Sequence, residues 1–321
     1  MKRLSILIAV LLMSLMCTAA WAKTYTISVN QFVEHPALDA VLKGLQDSLK
    51  EQGLEVKYNV HIAQANMATA NQIAQSIAGE NPDMVVAIAT PCAQACAQIV
   101  KKAPHMAKVP LLFSAVTDPK GAGLVKDLNH PGGNITGVSD MTPVDKHLAM
   151  IMETVPGLKS LGVVYNSGEA NSKTLVNMLR EACKAKGVSL EETTASKTSD
   201  VYQATKSLVG RTQAVYVPTD NTVVSALESM VKVCEQNHLP LFAADVDSVP
   251  RGAVAALGFD YYLHGKQTGA MAGRIFGGAS AATTPVEFQE GMSLHLNLKA
   301  AKAQGLVIPE AVMAKADKIV E

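Results

Sequence analysis

From Tyr25 onward the chain repeats one rhythm: a short β-branched or apolar run, a polar turn, then a stretch of helical period. Strands that are always separated by a helix cannot form hairpins. They pair in parallel, with helices covering both faces of the sheet. The first series predicts strands at 25–30, 54–60, 84–89, 109–113 and 135–139, with helices from His35 to about Gln52, near 67–78, and from Thr90-Pro91. Thr90 reads as a helix cap followed by proline at the first helical position. A second series predicts helices at 143–154, 171–186, 200–209, 221–237 and 261–276, and strands at 160–165, 188–193, 214–217, 239–243 and 253–257. Two consecutive α/β series imply two doubly wound parallel-sheet lobes with a cleft between them. Gly132-Gly133 and Gly277-Gly278 read either as neighbours of hinge crossings or as surface turns.

The first 22 residues carry a different signal. Lys2 and Arg3 precede an apolar run from Leu4 to Met16, and Ala20-Trp21-Ala22 supplies small residues before Lys23. This is the pattern of a cleaved secretory signal peptide, and the run falls short of the roughly 20 residues a membrane span requires. The expected product is exported, with a lipid anchor at Cys17 as the alternative. Leu15-Met16 is bulky for such an anchor site. Export disfavours ATP, NAD and phosphorylated metabolites as ligands, and no cofactor is expected.

The whole chain holds 28 basic and 28 acidic residues. Losing Lys2 and Arg3 leaves 26 against 28, too even a balance to give a footprint for nucleic acid or an anionic membrane. Aromatic residues are 4% and apolar residues 48%, so Ala, Val, Leu, Ile and Met must build the core. Cys92 and Cys96 lack the histidine partners of a zinc site. One helical turn apart, they read as two small buried thiols, or as an oxidised pair near the upper limit of disulfide reach. Cys183 and Cys234 fall in later helices and could also pair.

Ligands of open parallel sheets bind beyond the carboxyl ends of the strands. Those ends carry Asn30-Gln31-Phe32, Thr90-Pro91, Ser114 to Asp118, Tyr165-Asn166, Thr219-Asp220-Asn221 and Ala244-Asp245. Each alone is an ordinary helix cap. Together they line one predicted cleft. The first half offers neutral donors, Thr90, Ser114 and Thr117, beside helix starts that suit a carboxylate. The second half offers Glu169, Asp220 and Asp245, which suit an ammonium group. The division fits a zwitterion held between lobes.

Motifs for catalysis are missing from this inventory: there is no Gly-x-Ser-x-Gly elbow, His-Glu-x-x-His pair or phosphate loop. His105, His130, His147, His238, His264 and His295 have no metal spacing, so no metal is expected. His35 precedes a proline at a helix start, where a structural or ligand-lining role suits it better than acid–base work.

Six ordered segments also carry a resemblance: residues 33–39, 87–91, 113–119, 131–140, 165–172 and 218–223. In these the chain resembles the ABC transporter substrate-binding proteins related to the tryptophan and tyrosine importers' binding proteins. The resemblance implies a type I periplasmic-binding-protein fold whose lobes are joined by three crossovers. The first lobe would comprise 23–139 plus about 258–284, and the second 140–257 plus about 285–321. It implies that Thr90, Ser114 and Thr117 meet a ligand carboxylate. Asp220, with Glu169 or Asp245, would meet its amino group, Asn166 and Asn221 would add hydrogen bonds, and Phe32 would form an apolar wall. Cys92 and Cys96 stand where small apolar residues are expected.

The expected function is capture of a small zwitterion, an aromatic or other apolar amino acid such as tryptophan, phenylalanine or tyrosine, for a membrane permease, by a monomer. Three rivals keep the same fold: a sensory module for a membrane receptor, an envelope hydrolase or isomerase using the cleft carboxylates, and a protein-interaction surface.

Overall fold

Caps written in the sequence set the helix starts. In the computed structural model, which describes residues 23–321, the His35 ring accepts the Leu38 N–H at the start of helix α1 (Pro36–Glu51). Asn66 accepts two amides at the start of α2 (Met67–Glu80), and Asp260 does the same for the helix 261–276. The expected leader, with Cys17, lies outside the described residues. These helices connect β1 (Tyr25–Gln31), β2 (Val56–Ile62), β3 (Met84–Ile88), β4 (Leu111–Ser114) and β5 (Ile135–Ser139), with α3 (Thr90–Lys102) following β3. All pair in parallel in the order β2-β1-β3-β4-β5.

The chain then crosses to a second sheet. Helix α4 (Val144–Thr154) leads to β6 (Ser160–Tyr165), α5 (Ala170–Lys186), β7 (Ser189–Thr194), α6 (Val201–Lys206) and β8 (Ala214–Val217). After α7 (Asn221–Ser225) and α8 (Leu227–Asn237) come β9 (Leu241–Ala243) and β10 (Ala255–Gly258). Their order, β7-β6-β8-β9-β10, repeats that of the first sheet. A second crossing delivers α9 (Tyr261–Phe276) and β11 (Glu287–Phe288) to the first lobe, where β11 pairs with β5. The last crossing returns to the second sheet with β12 (Ser293–Asn297), α10 (Leu298–Ala303), α11 (Glu310–Met313) and β13 (Lys318–Val320). Three crossings therefore join two α/β lobes, and the first sheet takes its last strand from beyond residue 284. The one antiparallel pairing among the described strands, β10 with β12, sits where the chain re-enters the second sheet.

Several expectations are corrected locally. The helix expected over 221–237 breaks at Ala226, where φ is −115° and ψ is 26°. The break lets Asn221 and Thr222 reach Glu169 while Leu227, Met230 and Cys234 face the core. Thr90 is the first helical residue instead of the cap. The cap is Ala89, at φ +77° and without a side-chain bond, because the strand turns directly into the helix. Gly132-Gly133 and Gly277-Gly278 are turns of the first lobe and lie on none of the crossings, and the Gly132 N–H bonds the Ala282 carbonyl. All four described cysteines are buried and free, and Asn30 touches both Cys92 and Cys96.

The crossings are bonded to each other. Gln289 takes one bond from the His264 ring and gives another to the Asp260 carbonyl, joining the third crossing to the second. The Tyr261 hydroxyl donates to Asp140 on the first.

Helix α9 is held to the first lobe by close packing on α1. A Cβ at Gly44 would collide with the Tyr262 carbonyl, and one at Gly265 with the Val41 carbonyl. Alanine in place of glycine in a helix ordinarily stabilises by about 1 kcal/mol. Here backbone must move, so Gly265→Ala is expected to destabilise by about 2 kcal/mol or more in chemical denaturation. A stabilised variant would contradict this packing.

Candidate functional site between the lobes

In each sheet the strand order reverses next to the first strand, between β1 and β3 and between β6 and β8, and those are the positions where loops diverge to leave a crevice. The two crevices face each other across a narrow interlobe cavity. His35, Ala37, Leu38, Ala115 and Thr117 form its first-lobe wall. Asn171, Thr219, Asp220, Asn221, Val224 and Asp245 form the second-lobe wall, and Asp140 and Tyr261 come from the crossings.

Of the residues expected to meet a ligand, Thr117, Asp220, Asn221 and Asp245 stand in this wall. Asn166 and Glu169 stand behind it. The Asn166 amide donates to Asp220 at 2.6 Å and its side chain to Thr222 at 2.9 Å. Glu169 accepts the Asn221 N–H and side-chain amide, the Thr222 N–H and hydroxyl, and the Asn171 amide, and so fixes the wall from behind. Three residues are elsewhere. Phe32 is sealed in the first lobe's apolar core because the chain leaving β1 turns inward before α1. Ser114 shares a 2.7 Å hydrogen bond with Thr268 of α9. Thr90, the first residue of α3, is buried with its hydroxyl unpartnered among the described residues and does not line the cavity.

Three carboxylates line the cavity, and among the described residues no Lys or Arg lines it with them, Arg251 acting on Asp245 only from outside the wall. Each has local donors. Asp220 accepts from the Val223 N–H, the Asn166 N–H and the Ser172 hydroxyl. Asp245 accepts from Ser248, and Asp140 from Thr117 and Tyr261. These bonds do not supply a countercharge. Burial, and then the neighbouring charge of Glu169, push the Asp220 carboxyl up to about 7. Burial also raises Asp140 and Asp245 above the usual range. A cationic group entering here would relieve all three.

Other polar atoms in the wall lack partners. His35 Nε2, Asn171 Oδ1 and Thr219 Oγ1 are buried without hydrogen bonds among the described residues. Buried polar atoms left unpaired cost about 1–3 kcal/mol each, so three aimed at one cavity mark it as built for a polar guest. Ala115 adds backbone strain, with φ +53°, at the end of β4.

Asn171, Asp140 and Tyr261 are polar wall residues the sequence reading did not name, whereas Thr219 was named only as part of a cleft strand end and His35 only with a structural or ligand-lining role. Asp140 and Tyr261 were invisible because they lie on crossings, which periodicity cannot locate. Thr219 and Asn171 adjoin expected residues, and the spacing of strand ends signalled their neighbourhood. His35 had a usable signal, a ring placed one residue before a helix-initiating proline.

The sequence profile of the family described as ABC transporter substrate binding protein matches residues 26–320, and the chain belongs to that family. It is similar to the tyrosine-binding protein of Clostridioides difficile (strain R20291), 37% identical over 92% of this chain and 86% of the relative. Its fold follows an ABC domain from Streptococcus pneumonia in complex with L-Trp, with a TM-score of 0.87 at 32% identity over 93% of this chain and 100% of the other. The ligand-free, open structure of a substrate binding protein with adhesive properties from Clostridium difficile gives 0.67 at 35% identity, over 92% and 99%. Sequence divergence is nearly the same in the two cases. The lobes of this chain are thus disposed more like those of the L-Trp complex than like the open form.

The role of Glu169 is directly measurable. Glu169→Gln removes the like charge beside Asp220, so the Asp220 midpoint should fall from about 7 in carbon-13 NMR titration. An unchanged midpoint would assign the shift to burial alone.

Proposed function

We propose that this family member is the exported receptor of an ABC importer and that it closes on a small amino acid with an apolar, aromatic side chain: tyrosine, tryptophan or phenylalanine. The observation carrying this reading is the interlobe cavity, where Asp140, Asp220 and Asp245 line the wall with no Lys or Arg beside them among the described residues and three buried polar atoms stand without partners. The ligand's ammonium supplies the missing positive charge at Asp220 and Asp245. Leu38 and Val224 offer apolar surface to its side chain. The tyrosine and tryptophan named for the similar proteins have this chemistry.

Closure follows from contacts with both lobes, since a ligand shifts a two-state equilibrium only by binding one state better. The protein acts as a monomer in the periplasm after loss of residues 1–22, and hands its ligand to a permease. Attachment through Cys17 is the alternative mode of retention. The protein performs no chemistry on the ligand.

Calorimetry of the mature chain against L-tyrosine, L-tryptophan and L-phenylalanine tests the reading. At least one should bind near 1 μM, corresponding to about 8 kcal/mol. Binding requires Asp220 ionised, and burial raises its carboxyl to about 7. Affinity should therefore be highest near pH 8 and weaken toward pH 6 as the carboxyl takes up its proton. No heat from any of the three, or an affinity indifferent to pH across that window, would contradict the proposal.

A further inference from the structure

We propose that the ligand's carboxylate docks on the first lobe at the start of α1, against the Ala37 N–H and the Nε2–H of His35. This deepens the amino-acid reading above and rests on it. Helix α1 is 16 residues long, and its first turn forms part of the cavity wall through Ala37 and Leu38. Its N-terminus carries a partial positive charge and unpaired amides, which favour an anion. Pro36 has no N–H, and Leu38 gives its own to the His35 ring at 3.5 Å. The Ala37 N–H has no protein acceptor among the described residues.

The His35 ring supplies the second donor. Because Nδ1 accepts from Leu38, the ring proton sits on Nε2. That nitrogen is buried in the cavity wall without a partner, and the residue is only 8% exposed. Asn221 of the other lobe lies beside the ring. Burial, and then Arg251, hold the imidazole down to about 3, so it remains neutral and keeps this single donor.

The starts of α7 and α9 are committed. Glu169 and Asp220 consume the first amides of α7, and Asp260 consumes those of α9. Helix α3 contributes nothing to the cavity wall, and α5, which has no side-chain cap, begins beside Glu169 and Asp220, where a carboxylate would meet like charge. The expected carboxylate trio is also poorly placed. Ser114 is bonded to Thr268, and Thr117 donates to Asp140, beside which a second carboxylate would meet like charge. Docking at α1 instead sends the ligand's negative end to one lobe and its positive end to the acidic wall of the other.

The test compares L-tryptophan with L-tryptophanamide, which lacks the negative charge, by calorimetry at about pH 6.5, where both amino groups are protonated. Wild-type protein should prefer the acid tenfold or more. His35→Asn keeps a helix-capping oxygen for Leu38 but removes the ring donor while the Ala37 N–H remains, and should cut the preference for the acid severalfold. His35→Ser, also a strong cap, repeats the measurement if the Asn variant fails to fold. A purely structural role for His35 would weaken both ligands equally and leave the ratio unchanged, which overturns the assignment. Equal wild-type affinities for acid and amide overturn it too. Wild-type protein that binds none of tryptophan, tyrosine and phenylalanine overturns the amino-acid reading together with this one.

Discussion

Two buried carboxylates with no cation between them, Glu169 and Asp220, hold the second half of the cleft in shape. Between them they accept from the backbone of Asn166, Asn221, Thr222 and Val223 and from four side chains. Removing two such charges from water costs several kcal/mol per ion, and the surrounding charge-assisted bonds offset that cost. The arrangement draws the loops after β6 and β8 into one rigid surface. It leaves negative charge uncompensated, so either a proton or a cationic guest must complete it. The functional reading grows from that requirement.

The first lobe is built on a different balance. Its wall carries donors and backbone strain instead of charge: His35 at the start of α1, and Ala115 at φ +53° after β4. The crossings link the two surfaces, since Asp140 belongs both to the cavity and to the bond with Tyr261 that joins two crossings. His264 takes the Ala115 N–H and bonds Gln289 through its other nitrogen. The strained loop of the wall is therefore fastened to the same network as the crossings. A guest touching both lobes acts on an already connected frame.

Much of the architecture was legible because period and spacing are local properties. Strands 135–139, 160–165 and 214–217 and helix 261–276 stand where alternation places them. Residues after 276 were harder. The two-residue β11 and the antiparallel β12 owe their places to partners distant in sequence, and no local pattern encodes such partners. The same distinction divides the site. Asp220 and Asp245 were legible as polar strand ends, and the structure puts both in the cavity wall. Phe32 and Ser114 have the right residue types at strand ends, yet packing against the core and α9 takes them out of the wall. Whether a hydroxyl meets a ligand or a neighbouring helix depends on tertiary distance.

The central claim is that opposite lobes hold opposite ends of one small zwitterion. A crystal structure of the mature chain grown with L-tyrosine tests it most directly. The account predicts density in the interlobe cavity, with the amino group against the Asp220 and Asp245 carboxylates and the carboxylate against the start of α1. Density at another surface, or an amino acid bound with both charged ends on a single lobe, would contradict it.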